Sequence, residues 1–152
     1  MVALFIYMLA LVCWLGGMIS FVFFTAMLFS RLPVADAGKV VSAIFPTYYI
    51  TGYAAGAITF VLAIYFAIGG RGRGWWICSA ALLAGALALT VYAGAVVRPK
   101  VEAVRAVTEE ATPDPARKVE FDALHRLSVQ LNGAVMLLDL LAVLSTAAAL
   151  TS

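Results

Sequence analysis

Of the 152 residues, 64% are hydrophobic, only 12% are charged and the formal net charge is +2; the mean hydropathy is +1.03. Soluble domains carry about 45–50% apolar and about 25% charged residues, and 10 Lys and Arg against 8 Asp and Glu leave no basic excess for nucleic acid. A disordered chain, a disulfide-framework miniprotein and a nucleic-acid module are thereby excluded, and an integral membrane protein remains.

Four apolar runs follow one another: 2–29, 41–68, 75–97 and 127–150. Each exceeds the roughly 18–20 residues that a helix needs to cross about 30 Å of hydrocarbon. A strand left open in lipid would strand its backbone polar groups, so the runs are helices. The expected fold is an all-α membrane protein, an antiparallel four-helix transmembrane bundle forming one domain over 1–152. No Lys or Arg precedes the first run and no A-x-A site follows it, so it reads as a span rather than a signal peptide.

The breaks have clear chemistry. Residues 30–39 hold Pro33, Asp36 and Gly38 and read as a turn, with Asp36 as N-cap of the second helix. Residues 69–74 read GGRGRG, leading into Trp75 and Trp76 as an interfacial anchor. Residues 98–122 are the one long polar stretch and read as an extramembrane hairpin. Helix three continues past Pro99, with Val101, Val104 and Val107 at a three-residue spacing and Glu102 and Arg105 paired at i, i+3. The chain turns near Pro113 and Pro115 and returns into helix four, so helices three and four extend beyond the bilayer.

Eight of the basic residues (Arg31, Lys39, Arg98, Lys100, Arg105, Arg117, Lys118 and Arg126) fall on the side of the first and third connections; only Arg71 and Arg73 fall on the other. The positive-inside rule then places 30–39 and 98–122 in the cytoplasm and both termini outside, in a bacterial inner membrane. Close helix contacts are expected at Gly52-x-x-x-Gly56, at Ala80, Ala84, Gly85 and Ala88, and at Gly16-Gly17. Cys13 and Cys78 read as small buried hydrophobes.

Chemistry concentrates in the fourth run. His125, Asn132 and Asp139 are seven residues apart with Ser128 between the first two, so they form one helical stripe. A polar stripe avoids lipid and faces the bundle. Asp139 lies mid-span, where an ionised carboxylate costs at least about 2.5–3.5 kcal/mol, and no Lys or Arg lies deep in another run. The neutral carboxyl is the expected form, with Trp14, Cys13, Tyr53 and Thr90 as partners at similar depth. At the cytoplasmic mouth, His125, Ser128 and Asn132 are expected to meet Tyr48, Tyr49 and Arg98 in a ligand pocket or a structural clasp. The scattered methionines and cysteines do not build a soft copper site, and no cofactor is expected.

Trp14-Leu-Gly-Gly17, Phe45-Pro46-Thr-Tyr-Tyr49, Arg98-Pro99 and Leu124-His125-x-x-Ser128-x-x-x-Asn132 occur in this order. In that arrangement the chain resembles the transmembrane protein 205-like family, over nearly its whole length. The resemblance implies a four-helix membrane domain of unknown function, with a link to resistance against metal compounds. The Trp-Leu-Gly-Gly element alone is more distantly similar to the copper-resistance D membrane domain, whose histidine pairs this chain lacks. Three functions fit the sequence. The first is transport or export of metal compounds or amphipathic solutes along the Asp139 stripe, helped by a homo-oligomer. The second is an accessory subunit of a larger membrane complex, and the third a haem- or quinone-binding bundle with His125 as axial ligand.

Overall fold

The computed structural model describes residues 1–108 and 115–152; the expected turn near Pro113 lies outside them, as does the side chain of Val107. All regular structure among the described residues is helical: α1 Val2–Arg31, α2 Val34–Ile68, α3 Arg73–Tyr92, a π-helical turn Ala93–Val97, α4 Arg98–Thr108 and α5 Pro115–Thr151. Four helices are long and apolar enough to cross a membrane, the third running from Arg73 to Arg105 through the π turn. The chain is a small helical membrane protein. Tight turns at 32–33 and 69–72 make α1, α2 and α3 successively antiparallel. α1 packs on α2, α2 on α3 and α3 on α5, and a thinner α1–α5 contact closes the bundle.

The first turn is shorter than its composition suggests. α2 begins at Val34, and Asp36 stands in its first turn rather than at its N-cap, a position held by Pro33. The fixed φ of proline starts the helix there. Asp36 still favours it, because a carboxylate stabilises the positive end of a helix. This early start is also held from outside. The Arg105 guanidinium on α4 donates to the Gly38 carbonyl at 2.7 Å, to Ser42 Oγ at 2.5 Å and to the Ala35 carbonyl at 3.5 Å. Gly38 gives it room, since a Cβ there would lie 3.0 Å from Arg105 Nη2.

The second turn needs its glycines. Gly70 and Gly72 have φ of +89° and +63°. A Cβ on Gly72 would also lie 2.5 Å from the Ala149 carbonyl oxygen of α5, so the turn is seated directly on that helix.

Helix three continues past Pro99, but through a π turn that closes with the Arg98 N–H on the Ala93 carbonyl. Proline offers no N–H to the carbonyl four residues earlier and its ring crowds that carbonyl; one wider turn just before Pro99 accommodates this. Within α4, Glu102 accepts from Arg98 Nε at 2.9 Å, while Arg105 reaches across to α2. Val104 is buried.

Several expected packing faces shift. On α3 the buried face runs Trp76, Ser79, Ala80, Leu83, Ala86 and Thr90, whereas Ala88 is exposed. A Cβ on Gly16 or Gly17 would meet nothing within 4 Å, so this pair is not a helix contact. Cys13 and Cys78 are exposed rather than buried. In a membrane span an exposed position faces lipid, which suits a thiol as well as a core does.

Candidate functional site

The polar stripe is the inner face of α5. Val135, Asp139, Ala142, Ser145, Thr146 and Ala149 are buried, with Asp139 fully so. Neither carboxyl oxygen of Asp139 has a hydrogen-bond partner among the described residues. None of Trp14, Cys13, Tyr53 and Thr90 partners it. Cys13 is exposed on the far side of α1, Thr90 donates to the Ala86 carbonyl of its own helix at 2.8 Å, and Tyr53 Oη is packed against Gly94.

One heptad to either side, the stripe is satisfied. Each heptad advances about 10.5 Å along a helix. At one end Tyr48 Oη donates to Asn132 Oδ1 at 2.9 Å, and Asn132 Nδ2 donates back to the Ser128 carbonyl at 3.0 Å. At the other end Tyr7 Oη and Thr146 Oγ1 are 2.7 Å apart, with Ser79 Oγ 3.3 Å from Thr146. Tyr7 is fully buried. The stripe is therefore Asn132, Asp139 and Thr146, clasped by a tyrosine at each end and bare at its middle.

Each clasp is set in aromatic packing. Tyr48 lies 4.6 Å from the ring of Phe21 and 5.2 Å from Tyr49, which stacks on Phe45 and Tyr53. Gly94, inside the π turn, admits Tyr49 and Tyr53: a Cβ there would collide with the Tyr49 ring and the Tyr53 hydroxyl. Tyr7 packs edge-on against Trp76 at 5.4 Å and Phe66 at 6.2 Å. Trp14, 3% exposed, is wedged against α2, where Gly52 and Gly56 leave space for its indole. The Gly52-x-x-x-Gly56 motif is thus a close approach, of a ring rather than of a second backbone.

The mouth is only partly as the spacing suggests. Tyr48, Asn132 and Ser128 come together, and Ser128 Oγ spends its donor on the Leu124 carbonyl at 3.1 Å. Tyr49 is buried beside Tyr48. Arg98 is bound to Glu102 on its own helix. His125 is exposed and stacks on Phe121, with centroids 6.1 Å apart; it does not join the tyrosines. Two heptads of a 3.6-residue helix drift by roughly 40°, which turns His125 away from the face that Asn132 and Asp139 share. Among the described residues no three His, Cys, Asp or Glu side chains come together to hold a metal ion.

Tyr7 and Thr146 are the participants that the sequence reading missed. Thr146 was visible as the next member of the seven-residue series. Tyr7 carried no signal beyond being a phenol in an otherwise apolar run.

Residues 9–110 match the family model described as a domain of unknown function, DUF4149. That match covers two thirds of the chain, which belongs to this family. No curated protein and no solved structure matched the chain.

Proposed function

We propose that this DUF4149 member is a small transporter in which Asp139 exchanges a proton for an amphipathic cation inside the membrane. The observation that carries the reading is the fully buried Asp139 carboxyl with two unpartnered oxygens. Intramembrane carboxyls are expensive and mark ion, proton or substrate paths by default. A structural aspartate would have recruited a hydroxyl, and this bundle has hydroxyls to spare: Thr59 and Thr90 are buried and, among the described residues, bond only to their own helices.

The carboxyl O–H gives its proton to water as the cation arrives, and the carboxylate then neutralises that cation. When the cation leaves, a proton returns. Tyr48 with Asn132 and Tyr7 with Thr146 stand at the two ends of the path, and their hydrogen bonds are the contacts that must open for a solute to pass. Ser128 and Arg98 line the approach on the side assigned to the cytoplasm, and His125 stands outside it. A second copy of the chain would widen a path that four helices enclose narrowly. The Trp-Leu-Gly-Gly, Phe-Pro-x-Tyr-Tyr, Arg-Pro and Leu-His motifs support kinship with the transmembrane protein 205-like family, and with it a resistance-related role.

Proteoliposomes loaded with a pH-sensitive dye test this. Adding tetraphenylphosphonium outside should drive proton movement through the wild-type chain and none through Asp139→Asn. Equal responses from the two would rule the reading out.

A further inference from the structure

A hydroxyl in a membrane helix ordinarily bonds back to the carbonyl three or four residues before it. Thr25, Thr59, Thr90 and Thr151 do so here. Ser20, Thr47 and Thr51 make no hydrogen bond among the described residues, and all three line one cavity of about 380 Å³ between α1 and α2. Trp14 forms the inner wall, almost fully buried, and its indole N–H makes no hydrogen bond among the described residues either. Phe21, Phe24 and Tyr48 add aromatic walls, and Gly17 keeps the cavity open, because nothing lies within 4 Å of where its Cβ would be. No charged side chain lines the cavity.

We propose that this cavity binds a neutral lipophile that offers a carbonyl or ether oxygen to Trp14 Nε1 and to the Thr47 and Thr51 hydroxyls. The indole can only donate, so the occupant must accept. A carboxylate or phosphate would lose its hydration with no cation to replace it, and a cation would find no carboxylate in the lining. Aromatic walls around a few convergent polar groups, at a volume within the roughly 300–1,000 Å³ of small-molecule sites, suit a flat or chain-like apolar body. Such an oxygen comes from the ester of a bilayer lipid or from a free lipophile. Asp139 does not line the cavity, so the site stands or falls apart from the transport reading.

Benzophenone is a neutral aromatic carbonyl that crosslinks on irradiation. With the protein in nanodiscs of diether phospholipid, which has no ester carbonyl, labelling should saturate and fall on the peptides bearing Gly17, Thr47 and Thr51. Dodecanophenone should compete, and diphenylmethane, of the same bulk but without the oxygen, should compete at least about tenfold less. Gly17→Leu starts from a Cβ with nothing within 4 Å and carries its side chain into the cavity, so it should abolish labelling at unchanged thermal stability. Trp14→Phe, and separately Thr47→Val with Thr51→Val, should each weaken it about five- to tenfold, as expected for a lost hydrogen bond. Labelling that fails to saturate, that survives Gly17→Leu, or that diphenylmethane displaces equally well would overturn the proposal. Repeating the experiment in diester nanodiscs assigns the source: suppression identifies the lipid ester and undiminished labelling a free lipophile, and both support the site.

Discussion

A buried polar group left unpaired costs about 1–3 kcal/mol, and Asp139 has two oxygens in that condition. Folding alone gains nothing from it. Asp139→Leu removes the unsatisfied group and strands no partner, so thermal stability in detergent should rise, by an amount equivalent to about 1–3 kcal/mol, while proton-coupled uptake is lost. A fall in melting temperature would show that the carboxyl has a structural partner and would remove the reason for assigning it a function. His125 gives the opposite contrast. It is exposed, and its ring stacks on Phe121, so His125→Ala should change stability by less than about 0.5 kcal/mol and leave uptake intact. Asp139 was legible from its depth and the lack of deep basic residues. The fate of His125 was not, because a seven-residue spacing fixes a face only over about two turns and says nothing of where the neighbouring helices stop.

At the scale of elements, glycines of the same type do different work. A Cβ on Gly56 would stand 2.7 Å from Trp14 Cη2 and 2.9 Å from Leu87 Cδ1, whereas one on Gly16 would stand in open space. Gly56→Ala should therefore overpack the α1–α2–α3 junction and cost about 1–3 kcal/mol. Gly16→Ala should be neutral or gain up to about 1 kcal/mol from helix propensity. Thermal denaturation of both variants in one detergent decides the matter, and equal melting temperatures would contradict the wedge geometry. Tyr48→Phe removes the hydrogen bond from Tyr48 Oη on α2 to Asn132 Oδ1 on α5 and should cost about 1 kcal/mol. The sequence marks these glycines as small but does not say what fills the space they leave. It hides the π turn too: Pro99 announces that a carbonyl must be released, and a continuous helix could release it by a kink or by a wider turn. The Arg105 clasp on Gly38 and Ser42 was illegible because its partners are mostly backbone carbonyls, which every residue has.

For the whole molecule, four apolar runs at these lengths leave little choice but four helices, and short connections force them antiparallel; that much is composition and geometry. Orientation is a separate matter, settled by charge at insertion rather than by packing, and the same bundle fits the membrane either way up. Eight basic residues against two argue for the first and third connections inside, yet Arg71 and Arg73 flank the start of α3 closely, where each weighs fully. A labelling test must respect the packing. Gly72 is unusable, because its Cβ would run into the Ala149 carbonyl and its φ is positive; Arg71 and Lys118 are exposed and suit the purpose. Cys13 and Cys78 face outward and are first replaced by serine or alanine. In intact cells a membrane-impermeant maleimide should then label Arg71→Cys and spare Lys118→Cys until the membrane is opened. The reverse pattern would invert the bundle and turn the Tyr7–Thr146 end, rather than the Tyr48–Asn132 end, toward the cytoplasm. Labelling of both from outside would mean that the 98–122 segment and the α2–α3 turn share a side, which an antiparallel four-span bundle forbids.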